Sequence, residues 1–112
     1  MKPITALVDG RPEAMMGAVP SSLIGGKALV WMLGTDELYR HARAFALLGP
    51  RVIADMLATF REIENIVSVE NAPSIRFLAH MGFHVGGTVQ HHGGTAFVPF
   101  RMERAIQAVP AL

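Results

Sequence analysis

The side chains able to do chemistry are few, and residue type or spacing excludes most of the sites they could form. There is no cysteine among the 112 residues, hence no thiol nucleophile, no cysteine metal site and no disulfide framework, as expected in a reducing compartment. Of the five histidines, His84, His91 and His92 come nearest to a ligand set. Adjacent residues at a strand end point to opposite faces, however, and Gly93-Gly94 follows, so a polar turn accounts for them and no metal is expected. Ser21, Ser22 and Ser68 stand in no Gly-x-Ser-x-Gly elbow, which leaves a hydrolase triad without a nucleophile. Ten Lys and Arg against nine Asp and Glu give a formal charge of +1. They are scattered, with no basic run or RNA-binding aromatic motif, so no nucleic-acid partner is expected.

What remains is the stretch from Asn71 to Phe83, a short helix with both ends spelled out. Asn71 is a good N-cap, and Pro73 falls in the first turn, where a missing donor costs little. Gly82 suits the left-handed position just past the helix, and Phe83 can reach back to Leu78 as in a Schellman cap. Ile75, Leu78 and Met81 form one apolar stripe. The β-branched run Ile66-Val67-Ser68-Val69 precedes this helix and an extended pattern from Phe83 to Val89 follows it.

The elements that must position this unit follow from turn signals and periodicity. Ile4 to Val8 and Glu13 to Val19 read as a hairpin turned at Asp9-Gly10. Pro20-Ser21-Ser22 and Gly25-Gly26 bracket a loop, after which Lys27 to Leu33 reads as a central strand. Thr35 can cap a helix carrying Asp36 and Glu37 in its first turn, with Leu38, Ala42 and Phe45 on its apolar side. Gly49-Pro50 is expected to break or kink it, and a second helix from about Pro50 to Phe60 carries Val52, Ile53, Met56, Leu57 and Phe60. A last hairpin turns at His91-His92-Gly93-Gly94 into Thr95 to Met102. The order is β-β-β-α-α-β-α-β-β, an α/β (α+β) mixed sheet with helices packed on it. Residues 1–104 make one domain and 105–112 a short tail. Met15, Met16, Met32, Met56 and Met81 read as adaptable core filler.

At 51% hydrophobic the chain is greasy, yet no apolar run approaches the ~20 residues of a membrane span. Pro3, Asp9, Gly10 and Arg11 interrupt any signal-peptide core, so a cytoplasmic location is expected.

Asn71, the small Ser74 three positions on and the closing Gly82-Phe83 resemble the second half of the GNAT N-acetyltransferase superfamily. The wider run, from Trp31-Met32-Leu33-Gly34-Thr35-Asp36 through Asn65-Ile66-Val67 to Phe100-Arg101-Met102-Glu103, is similar to small GNAT-like proteins of phages and prophages. The likeness covers roughly residues 1 to 104. It implies a GNAT-like sheet truncated at the N-terminus, without the family's first strand and two helices, the part that shapes the acceptor side. It also implies acetyl-CoA as co-substrate and an amine as acceptor.

In such a fold the pantetheine lies between the two central parallel strands, here Lys27–Leu33 and Ile66–Val69. By resemblance Trp31, Met32 and Leu33 supply backbone groups to it, and Asn71 and Ser74 lie beside it. The family's pyrophosphate loop is glycine-rich. Here Arg40-His41-Ala42-Arg43-Ala44-Phe45 stands in its place, so Arg40 and Arg43 are the candidates for side-chain contacts to phosphate. Where many members carry a tyrosine acid, counting from Asn71 lands on Leu78; Tyr39, the one tyrosine, lies in another segment. Glu70 and Glu13 are the candidate bases toward an amine. These departures leave two functions in view: an N-acetyltransferase working mainly by positioning, or an inactive structural or interaction protein, virion-associated in that case. The absence of two covering helices implies exposed apolar surface and a homodimer.

Overall fold

The computed structural model describes residues 3–21 and 25–105, apart from the side chains of Leu38, Tyr39 and Ala42. The expected loop residue Ser22, the tail beyond Ala105 and the apolar face assigned to Leu38 and Ala42 lie outside the described residues. In chain order the elements are β1 (Ile4–Val8), β2 (Arg11–Pro20), β3 (Lys27–Gly34), α1 (Glu37–Arg40), α2 (Ala42–Thr59), β4 (Glu62–Ser68), α3 (Ala72–His80), β5 (His84–Val85), β6 (Gln90–His92) and β7 (Thr95–Glu103). The seven strands form one mixed sheet in the order β1-β2-β3-β4-β7-β5, with β6 also on β7. The opening hairpin turns at Asp9 (φ 52°) and Gly10 (φ 79°), the positive dihedrals of a primed turn. Its first strand carries a bulge between Ala6 and Leu7.

Strand alternation builds the core on one face. Ala18 opposes Val30 and Ala28 opposes Ile63, and these pack with Phe100 beneath Ile53, Met56 and Phe60 of α2 and Leu78 and Met81 of α3. Ala28, Met56 and Ile63 are fully buried, and the Phe83 and Phe100 rings meet edge-on with centroids 5.2 Å apart. At the end of α2 the Arg104 guanidinium donates to the Leu57 and Ala58 carbonyls at 2.6 and 3.3 Å, satisfying acceptors that a helix end leaves open. The opposite face of β2 and β3 carries Met15, Val19, Leu29 and Leu33, all exposed. Gly17 lies there under the Trp31 indole, where a Cβ would fall 2.6 Å from the ring.

Two boundaries differ from the sequence expectation. The helix does not break at Gly49-Pro50; the break lies at His41, and α2 runs from Ala42 to Thr59 with Pro50 inside. Proline removes one helical hydrogen bond, but Gly49 beside it is where α2 meets α3, and a Cβ at Gly49 would sit 1.9 Å from Met81 Cε. Packing across that contact holds the helix through its proline.

The second difference is the strand expected from Phe83 to Val89, which stops at Val85 and resumes at Gln90. The cause lies on β7. Gly86 N–H donates to the Pro99 carbonyl at 2.9 Å, but Pro99 has no N–H to return, and a Cβ on Gly87 would lie 2.9 Å from the proline ring. The ladder therefore loses its next bond where the chain must pass over that ring.

Candidate functional site

The parallel pair β3 and β4 is joined over three residue pairs only, Lys27 with Glu62, Ala28 with Ile63 and Leu29 with Glu64. At the joined end Lys27 Nζ lies 3.6 Å from the Glu62 carboxylate. Beyond Leu29, β3 stays paired to β2 as far as Gly34 with Ala14, and β4 stays paired to β7 as far as Ser68 with Phe97. The sheet therefore opens between its two central strands.

Asn65 stands at the point of opening. Its Nδ2 donates to the Val30 carbonyl at 2.7 Å, and its Oδ1 accepts the Ile66 N–H at 2.8 Å. One amide side chain thus serves a backbone acceptor on β3 and a donor on β4 that would otherwise be half-buried without partners. Sequence reasoning assigned Asn65 no role. The available signal was a lone amide between Ile63 and Val67 in an otherwise apolar register.

Backbone groups alternate along a strand. The Thr35 N–H reaches the Glu13 carbonyl at 3.0 Å, and the Lys27 carbonyl accepts from Ser21 N–H at 3.0 Å, so odd-numbered residues of β3 face β2. The even-numbered ones face the opening, in agreement with the Val30 contact to Asn65. Of Trp31, Met32 and Leu33, Met32 alone therefore presents its N–H and C=O to the gap. Trp31 and Leu33 turn theirs to β2, and their side chains lie on the face away from the helices.

The remaining candidates gather at the same end of the sheet, beyond the C-termini of the two parallel strands. After β3, the Thr35 hydroxyl accepts the Glu37 N–H at 3.3 Å and donates to the Glu13 carboxylate. Thr35 thus supplies the capping oxygen, while Asp36 occupies the N-cap position without a side-chain bond. Glu13 is committed to this contact. Glu37 pairs with Arg40 at 3.1 Å and with His41 at 3.4 Å. Arg43, in the first turn of α2, is exposed and has no ion-pair partner among the described residues. That turn carries no acidic residue and no side-chain cap, so its dipole favours an anion, although the Glu37 carboxylate already lies against His41 at its N-cap.

After β4, the Ser68 hydroxyl accepts the Glu70 N–H at 3.2 Å, which folds the turn into α3 and leaves Glu70 exposed. Asn71 Oδ1 accepts the Ser74 N–H at 3.2 Å, so the expected cap is formed and its Nδ2 group is left as a donor. At the far end Gly82 has φ 99°, Phe83 N–H donates to the Leu78 carbonyl at 3.0 Å and Gly82 N–H to the Ala79 carbonyl at 3.1 Å, the two bonds of a Schellman motif. Leu78 is buried, a core residue where a tyrosine acid would have to reach the gap. Among the described residues no group of three His, Asp or Glu side chains could hold a metal ion, and no helix is long and apolar enough to cross a membrane.

No family model matches the sequence, and no curated protein matches it. Solved structures do. A GNAT-family acetyltransferase from Streptococcus pneumoniae superposes with a TM-score of 0.76 at 13% identity, over 92% of this chain and 66% of that one. Ribosomal-protein-alanine N-acetyltransferase from Brucella melitensis gives 0.72 at 14% identity, over 91% and 68%. Spermidine N-acetyltransferase from Vibrio cholerae, in complex with CoA and spermine, gives 0.69 at 15% identity, over 86% and 60%. The chain thus spans about two thirds or less of the length of these structures. With its mixed sheet parted between β3 and β4 and its capped helix after β4, this chain has the GNAT acetyltransferase fold.

Proposed function

We propose that this chain binds an acyl-CoA and transfers its acyl group, acetyl in the simplest case, to an amine. The observation that carries the reading is the parting of β3 from β4 after three residue pairs, held by Asn65, which leaves Met32 N–H and C=O without a strand partner. A pantetheine arm is an extended chain of amides, and it fits such an edge as another strand would. Asn71 Nδ2 is the group we assign to one of its carbonyls, since Oδ1 alone makes the cap. The pyrophosphate fits the start of α2, where backbone amides, the helix dipole and Arg43 converge. Arg40 contributes less, since Glu37 already neutralises it. The neighbour from Vibrio cholerae holds CoA and spermine, which supports the same pair of ligand classes here.

The chemistry asks little of the protein beyond alignment. The neutral amine nitrogen attacks the thioester carbonyl carbon, the C–S bond breaks, an amide forms, and the sulfur leaves as thiolate. A thiol with a pKa of about 8.5 is a good leaving group, so Leu78 in place of a tyrosine removes an aid rather than the reaction. Holding the two reactants in line is the larger contribution. Exposed Glu70 is the better base, acting through water; Glu13 is held by Thr35.

Titration of the purified protein with acetyl-CoA and with free CoA is the test. Binding with measurable heat is expected, and none at near-millimolar ligand overturns the reading. The exposed Val19, Leu29 and Leu33 on the helix-free face favour a second reading, a GNAT fold kept as an interaction protein that pairs with a copy of itself. Light scattering at micromolar concentration checks it: a dimer is expected, and a clean ~12 kDa monomer overturns it.

A further inference from the structure

A cleft of about 590 Å³, partly open to solvent, lies between the opening hairpin, the first half of α2 and α3. Met16 and Met32 form its floor on the sheet, and Phe45, Leu48 and Val52 its roof on α2. Phe77 of α3 also lines it. Of its lining residues only Thr5, Asp9 and His41 carry polar side chains, and His41 already faces Glu37. The strand residues that line it belong to β1, β2 and β3, and Met32, the residue whose backbone is proposed above to hold the pantetheine, is among them.

An acetyl group does not fill this space. An apolar cavity of about 150 Å³ already accommodates a benzene ring, and this one has roughly four times that volume. Pockets of a few hundred Å³ with mostly hydrocarbon walls take ligands of several carbons or rings. Its few polar groups leave a long polar or charged ligand largely without partners.

We propose that this cavity receives the acyl chain of the thioester, and that the donor this chain prefers carries a medium-length fatty acyl group rather than acetyl. The inference rests on the acyl-CoA reading above and names the donor class for that site. The transfer itself is unchanged: amine nitrogen to carbonyl carbon, C–S cleavage, CoA released as thiolate.

Calorimetric titration with free CoA, acetyl-CoA and octanoyl-CoA tests it. The first two ligands examine the acyl-CoA reading and the third examines the cavity. Each buried methylene favours binding by about 0.8 kcal/mol, so octanoyl-CoA is expected to bind more than about ten-fold tighter than acetyl-CoA. Leu48→Trp should fill the cavity and remove that advantage while leaving free CoA and acetyl-CoA affinities as in the parent. Val52→Phe gives a second filling variant from the same helix, away from the phosphate segment. Leu48 is exposed and Val52→Phe only adds volume, so neither change opens a hole in the core. Equal affinity for the two thioesters overturns the acyl-chain assignment and leaves the acyl-CoA reading standing. An octanoyl preference that survives both filling variants places the chain elsewhere and overturns it too. No binding of any of the three ligands overturns the acyl-CoA reading, and this inference with it.

Discussion

The segments that follow the two parallel strands are built in opposite ways. After β4, α3 has its first turn capped by Asn71 and its last turn closed by Gly82 and Phe83, so nine residues carry almost all the instructions for their own helix. After β3, the chain makes one turn, breaks at His41, and starts an 18-residue helix without a side-chain cap. That helix is fixed by what it touches, at Gly49 against Met81 and at Arg104 on its last carbonyls. A helix start satisfied by its own side chain is rigid but has spent its donors. One left open keeps amide protons for a ligand.

Substitutions at four places test this difference between the two segments. The largest effect is expected at the point from which both segments diverge. Asn65→Leu removes partners from the Val30 carbonyl and the Ile66 N–H, and at about 1–3 kcal/mol for each unsatisfied group it should lower the melting temperature by ten degrees or more. A loss of only a degree or two would mean that the gap needs no wedge.

Gly49→Ala probes the tertiary control of α2. Crowding against Met81 should outweigh the gain in helix propensity and cost about 1 kcal/mol net. In a Met81→Ala background the same substitution should stabilise, because the obstruction is gone. If its sign is the same in both backgrounds, Gly49 is not the contact that holds the helix through Pro50.

Local control of α3 is probed by Asn71. Asn71→Ala should cost about 1 kcal/mol, a few degrees, whereas Asn71→Asp keeps the capping oxygen and should melt close to the parent. Both lose the Nδ2 donor, so both should bind acetyl-CoA more weakly. Parental affinity in the aspartate variant would reduce Asn71 to a cap alone.

The smallest change in stability, with a specific change in binding, is expected at the arginines. Arg43→Ala should weaken CoA binding and flatten its salt dependence more than Arg40→Ala does, because Arg40 is already paired with Glu37. Equal losses would mean that Glu37 does not hold Arg40 away from phosphate.

The same contrast explains what could be read from the sequence. The hairpin at Asp9-Gly10, the β3 run and both ends of α3 follow from residues within a few positions of each other, and they stand where the pattern put them. The unbroken α2 and the early end of β5 do not, because their causes lie elsewhere in the chain: Met81 for one, Pro99 for the other. At the site, Asn71 was legible as a cap because capping is local. The role of Asn65 depends on a carbonyl thirty-five residues away, and only the paired strands reveal it. Likewise the three residues Trp31, Met32 and Leu33 could be named from the sequence, but which one faces the gap is decided by β2.

The ladder lost at Pro99 also bears on what the borders of the sheet offer to other molecules. A sheet with a long straight outer strand offers a template for strands of other molecules, the route to aggregation. Here one outer strand is bulged at Ala6 and Leu7, and the other side is cut into pieces of two and three residues where the chain detours over the proline. Neither border presents a continuous row of free amides and carbonyls. Replacing Pro99 with valine would restore an N–H and invite β5 and β6 to merge, straightening that border, and light scattering over time would show whether the variant then grows into higher assemblies.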